Sequence, residues 1–226
     1  MAKKQTYEDP DNLKKIESSL TKAEQYIEDN QKKLTYIIGA LIIIIAVFFL
    51  YKNRIVEPRN ARAVESIWGA ERLFEIDSFH IALYGNENVQ GFLDIIDEFG
   101  STNSGNLAKY YAGVCYLRMG EYDNAIEYLQ EFSAHEDLLG QMKLNLLGDA
   151  YSNKQEYKTA ADFYLQAAKK SSSEEFSPMF LLKAGQCFEK IEDKKSALDV
   201  YSEIKNKYPQ SEEGQMIDKY IVRVTL

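Results

Sequence analysis

Eighteen consecutive residues from Leu34 to Tyr51, LTYIIGALIIIIAVFFLY, carry no charge. As an α-helix rising about 1.5 Å per residue they reach about 27 Å, close to the hydrocarbon thickness of a bilayer. Lipid offers no hydrogen-bond partners, so an uncharged run of this length is expected to cross as a helix that satisfies its own backbone. Lys32 and Lys33 before the run, and Lys52 and Arg54 after it, are placed to snorkel their charges outward, and Tyr36 and Tyr51 suit the two interfaces. The run begins only after 33 residues and continues into Lys52 without a small-residue cleavage site, so it reads as an uncleaved signal anchor.

Basic residues do not choose the direction of this anchor, because Lys22, Lys32 and Lys33 on one side face Lys52, Arg54, Arg59 and Arg62 on the other. Long domains cross largely regardless of charge, and a short tail before an uncleaved anchor commonly stays inside. This places residues 1–33 in the cytoplasm and the remainder outside it. Within the tail, Leu13, Ile16, Leu20, Ala23, Ile27 and Leu34 follow the 3,4 spacing of an amphipathic helix, with Asn30 at the remaining seam position. Pairing in a homodimer, lying on the membrane, docking on a partner and simple solvation all fit that pattern.

Beyond Val56 the chain holds 18 basic and 28 acidic residues, 18 − 28 = −10. A surface so acidic repels phosphate, and no basic stripe offsets it, so no nucleic-acid partner is expected. Cys115 and Cys187 belong to no CxxC or Cys/His cluster and read as small buried hydrophobes.

Self-comparison of this acidic part shows an internal repeat. With Gly113, Gly148 and Gly185 superposed, an aromatic falls three residues later in each copy, at Tyr116, Tyr151 and Phe188. Alanine falls twelve residues after each glycine, at Ala125, Ala160 and Ala197, and Tyr122 and Tyr157 mark the intervening turn in two copies. Small residues let two helices of a hairpin approach, aromatics fill the adjoining layer, and such hairpins need stacked neighbours. Pro209 stops the third copy. These residues resemble the tetratricopeptide repeat family over Asn106 to Pro209, with Lys109, Leu144 and Leu181 where the family usually has tryptophan.

Ala70, Phe79 and Ala82 match a fourth, degenerate copy upstream, whose second helix is interrupted by about eight extra residues around Gly85 to Gln90 before GFLDIIDEF resumes it. Downstream, Ile217, Ile221 and Val224 share one face of an expected capping helix. The expected fold is therefore all-α: an N-terminal amphipathic helical tail (1–33), a transmembrane helix (34–51) and a linker with a degenerate first repeat (52–105). Three tetratricopeptide repeats (106–209) and a C-terminal capping helix (210–226) complete an α-solenoid.

The family resemblance implies a groove for protein partners, lined by the first helix of each hairpin. Its positions here are Leu107, Tyr110 and Val114 in the first copy, Met142, Asn145 and Asp149 in the second, and Met179, Leu182 and Gln186 in the third. The Lys, Asn and Arg clamp with which some members grip a terminal carboxylate finds no counterpart at these positions. The lining is apolar and adaptable, suited to a helix or an extended apolar segment. Packing of Leu107, Met142 and Met179 against neighbouring helices is the other use of the same residues.

No catalytic, cofactor or metal motif stands out: His80 and His135 are isolated, no phosphate loop occurs, and acidic pairs such as Asp94 with Asp97 or Glu174 with Glu175 read as solvated helix faces. A non-enzymatic binding module is expected. The layout of a short tail containing EDNQKKL, one anchor, a degenerate hairpin and acidic repeats resembles the YfgM-like ancillary subunits of the Sec translocon, and LYGNENVQGFLDIIDEFG looks like a form found in Bacteroidetes-type relatives. That resemblance implies an inner-membrane protein with periplasmic repeats, partnered by the translocon, periplasmic chaperones or unfolded client segments. A scaffold that assembles an envelope complex around one fixed partner is the alternative.

Overall fold

The computed structural model describes residues 10–134, 137–170 and 175–226, with side chains described from residue 21 onward except those of Ala23 and Asp137. His135 and Glu174 lie outside the described residues, as do the side chains of Leu13, Ile16, Leu20 and Ala23. The chain divides into two compact units, Met1–Pro58 and Arg59–Leu226.

In the first unit, the segments expected as tail and transmembrane helix lie on one element: helix α1 runs unbroken over Pro10–Tyr51. Asn30 turns its amide back to the carbonyl of Tyr26 at 3.0 Å and Thr35 its hydroxyl to that of Gln31 at 2.8 Å, so both satisfy themselves on the preceding turn. From Leu41 through Tyr51 the large apolar side chains are exposed, none of them covered by protein, and this helix is long and apolar enough to cross a membrane. A five-residue π-helical segment, Lys52–Val56, follows.

The second unit is built of helices joined in antiparallel pairs. Helix α2 (Glu57–Glu75) is followed by the short helices α3 (Phe79–Tyr84) and α4 (Phe92–Phe99). Three regular hairpins come next: α5 (Asn103–Met119) with α6 (Tyr122–Glu131), α7 (Asp137–Asn153) with α8 (Tyr157–Lys170), and α9 (Ser177–Lys190) with α10 (Lys194–Lys207). Helix α11 (Glu212–Thr225) packs on α10 and α9. The described residues contain no strand.

The repeated glycines explain the hairpins. A Cβ added to Gly113 would stand 2.6 Å from Leu129, one on Gly148 2.5 Å from Tyr164, and one on Gly185 closer still to Tyr201. In each pair the glycine lets the second helix press a large side chain onto the backbone of the first. The alanines at 125, 160 and 197 are fully buried at the same crossings. Tyr116 stacks on Tyr128 at 5.4 Å and Tyr151 on Phe163 at 5.3 Å.

The turns repeat as well. Each first helix ends on a left-handed residue, Gly120 (φ 81°), Gln155 (φ 63°) and Glu192 (φ 60°). The next amide then reaches back to the carbonyl of the signature aromatic: Glu121 to Tyr116, Glu156 to Tyr151 and Asp193 to Phe188, at 2.9, 2.9 and 3.0 Å. This is the Schellman closure of a helix C-terminus.

The first hairpin is irregular. Helix α3 stops at Tyr84 and α4 begins at Phe92. The loop between them is pinched where Gly85 and Gly91 touch: a Cβ on Gly91 would collide with the Gly85 nitrogen. Asn86 holds the loop by accepting from the amides of Asn88 and Val89 at 2.9 and 3.0 Å. Phe74, Phe92 and Tyr111 join this hairpin to α5, with Phe92 stacked on Tyr111 at 5.0 Å. At the other end Ser211 caps α11 by accepting from the Gly214 amide at 3.0 Å, and Ile217 and Val224 enter the core.

Candidate protein-binding groove

Helices α5, α7 and α9, the first of each regular hairpin, carry the nine groove positions inferred from the sequence. The structure divides them by burial. Leu107, Met142, Met179 and Leu182 are half-buried and pack on the core, while Val114 and Asn145 are buried. Tyr110 is half-buried and edges against Tyr111 and Phe132, and burial pushes its hydroxyl above the ordinary tyrosine range. Asp149 is half-buried and Gln186 exposed.

Between α7 and α9 the groove is polar. The Lys183 ammonium donates to Asn145 Oδ1 and to Asp149 Oδ1, both at 2.8 Å. Tyr164, the residue pressed onto Gly148, donates its hydroxyl to the same Asp149 oxygen at 2.6 Å, and Lys183 lies 5.3 Å from its ring centre. Burial and the Asp149 carboxylate hold the Tyr164 hydroxyl far above its ordinary pKa, so it stays a donor. With Asn145 Nδ2 donating to its other oxygen at 3.4 Å, Asp149 is held by three side chains, and Lys183 ties the second hairpin to the third.

Beside this cluster a cavity of 240 Å³ opens between Ser152, Tyr164, Lys183, Gln186 and Cys187. Burial raises the Cys187 thiol, and the fully buried Cys115 thiol is pushed up to about 12, so both remain protonated at neutral pH as inert core groups. Among the described residues no group of three or more His, Cys, Asp or Glu side chains is placed to hold a metal ion. Met142, Met179 and Leu182 are partly buried against the core, and Lys183 and Gln186 line the cavity.

Sequence reasoning singled out Asn145 and Asp149 but missed Lys183 and Tyr164. Lys183 is not among the nine positions singled out from the sequence. It follows Leu182 by one position, and only the side-by-side placement of α7 and α9 reveals that it reaches Asn145 and Asp149, 38 and 34 residues away. The hydroxyl at 164 had a usable signal, since Tyr164 and Tyr201 both stand sixteen residues after a signature glycine.

Farther along the chain, Lys143 donates to the carbonyls of Gln130 and Phe132 at 3.0 and 2.7 Å, closing the end of α6. Asn106 and Ser133 exchange two hydrogen bonds, at 2.8 and 2.9 Å, across the first regular hairpin. The hairpins are thus fixed by contacts beyond the helix crossings themselves.

No curated protein matches the chain. Two family models, both described as tetratricopeptide repeat, match it, one over residues 107–135 and 180–211 and the other over 144–175. Each matched stretch covers one helical hairpin with its glycine, its aromatic and its alanine, and together they establish that these three hairpins are tetratricopeptide repeats, a protein–protein interaction module.

Proposed function

We propose that this chain is a membrane-anchored adaptor whose groove holds segments of newly translocated envelope proteins outside the cytoplasm, beside the Sec translocon, and passes them to periplasmic chaperones. The observation that supports this most directly is the pairing, in one chain, of an exposed apolar helix with a repeat groove that is apolar at Met142, Met179 and Leu182 and bears donors at Lys183 and Gln186. Adaptable apolar side chains accept many sequences, and the two donors satisfy main-chain carbonyls of an extended segment.

The topology is tested by fusing to Leu226 a reporter that is active only outside the cytoplasm, and an inactive reporter sinks the proposal. Photocrosslinkers at Met142 and Gln186 then test the cargo. Capture of many nascent envelope proteins is the expected result, whereas capture of a single stoichiometric partner turns the protein into a fixed scaffold of an envelope complex.

A further inference from the structure

With the anchor proposed above in the bilayer, the unbroken course of α1 narrows what its N-terminal part can do. The helix runs from Pro10 straight into the apolar run, so the residues before Leu34 continue the anchor's axis instead of turning to lie along a membrane surface. At about 1.5 Å per residue, the stretch from Leu13 to Leu34 extends about 30 Å from the run. Lipid enforces the helix it grows from, so this extension escapes the cost of starting a helix.

The stretch keeps its aliphatic residues in one phase. Leu13, Leu20, Ile27 and Leu34 stand seven apart, and Ile16, Ala23 and Asn30 each follow one of the first three by three positions. No other aliphatic residue occurs between Leu13 and Leu34, and no charged residue of the stretch falls on this seam. A strict seven-residue period drifts around a straight helix and stays on one face when two helices wind about each other left-handedly. Ile27 is 55% exposed and Tyr26, beside it, 65%, which is apolar surface that a second helix covers. The 3 and 4 spacing continues through Ile37, Leu41, Ile44, Phe48 and Tyr51 to the end of α1. The run is apolar on every side there, so this adds no force of its own, but paired helices enter the bilayer without changing phase.

A second copy of the chain is the partner that matches this seam. Chains anchored in one direction present their tails parallel, and in register every seam residue meets its own counterpart. Asn30 is the position that distinguishes one register from another. Its Nδ2 donates one hydrogen to the Tyr26 carbonyl at 3.0 Å, which leaves a second N–H and the Oδ1. Level with Asn30 of the partner subunit, these two groups pair across the seam. A slip of one heptad sets the amides against Ala23 and Ile37 and leaves them unpaired. The flanks agree with this register: Ser19 lies beside Glu24 of the partner subunit and Tyr26 beside Gln31 of the partner subunit, so no like charges meet.

We infer that two copies of this chain pair in parallel through the part of α1 before the apolar run, as a left-handed coiled coil in register at Asn30. The pairing rests on the anchor proposed above, which sets the two helices side by side and in one direction.

The test uses membranes that hold the full chain with single added cysteines, treated with a mild oxidant; the native Cys115 and Cys187 are buried. Leu20→Cys and Ile27→Cys, on the seam, are expected to give a disulfide-linked species at twice the chain's 26.0 kDa. Ser18→Cys and Gln25→Cys, on the opposite face, are expected to link about tenfold less or weaker still, because their sulfurs stay out of reach. Ile27→Glu, added to L20C, sets two like charges in the seam and lowers its linkage about tenfold or more. Alkaline carbonate extraction of the same membranes reads the anchor separately. In a pelleted chain, linkage that ignores the face, appears at another mass or survives Ile27→Glu overturns the pairing and leaves the anchor standing. A chain found in the supernatant overturns the anchor and the pairing with it.

Discussion

Gly185 shows how a single absent atom fixes a hairpin. Its added methyl would meet a Tyr201 ring that is fully buried and tied through its hydroxyl to Glu189, so the ring has nowhere to move. Gly185→Ala is expected to cost about 2–3 kcal/mol in urea unfolding, despite the better helix propensity of alanine. At Gln155 the expectation reverses. Its left-handed backbone strains any side chain, so Gln155→Gly gains about 0.5–1 kcal/mol by the same measurement. Asp149 and Lys183 form a coupled unit, and a double-mutant cycle of Asp149→Asn with Lys183→Met is expected to return a coupling of about 1–2 kcal/mol. The signature glycines, aromatics and alanines were legible in the sequence because close helix packing admits few residue types at those positions. The Lys183–Asp149–Tyr164 cluster was not, because one polar residue on an exposed-looking face is compatible with many neighbours until the helices are placed.

At the scale of elements, the interrupted second helix of the first hairpin was legible from a spacing that was too long. Its closure by the touching backbones of Gly85 and Gly91 was not, since nothing local says which two glycines meet. The capping helix was legible from Ile217, Ile221 and Val224, but its latch is not periodic. Arg223 grips Glu189 of α9 with two hydrogen bonds, at 2.6 and 2.7 Å, and Tyr201 donates to the same carboxylate. Burial on its own would raise Glu189, but these donors hold it below its ordinary value of 4.5. A carboxylate with a depressed native pKa binds fewer protons folded than unfolded, so its contribution is complete above about pH 4.5 and is lost as pH falls through the native value. Glu189→Gln is expected to lower stability by about 1 kcal/mol at neutral pH and to flatten the acid limb of a stability–pH profile.

At the scale of the molecule, the anchor and the repeats make separable demands. If α1 holds the chain in the bilayer, the full protein stays in the pellet after alkaline carbonate extraction, and a chain lacking residues 34–51 moves to the supernatant. Recovery of the full protein in the supernatant would refute the anchor. The repeats have another property that belongs to inheritance rather than to packing. Gly148 and Gly185 occupy the same place in successive hairpins, so a deletion of residues 148–184 joins one frame to the next without a shift in register. That cut removes Asp149, Tyr164 and Lys183 in one step, and takes Lys154 away from the exposed Asp123. The number of hairpins can therefore change across generations one at a time, with the Asp149–Lys183 pair arriving or leaving as a unit.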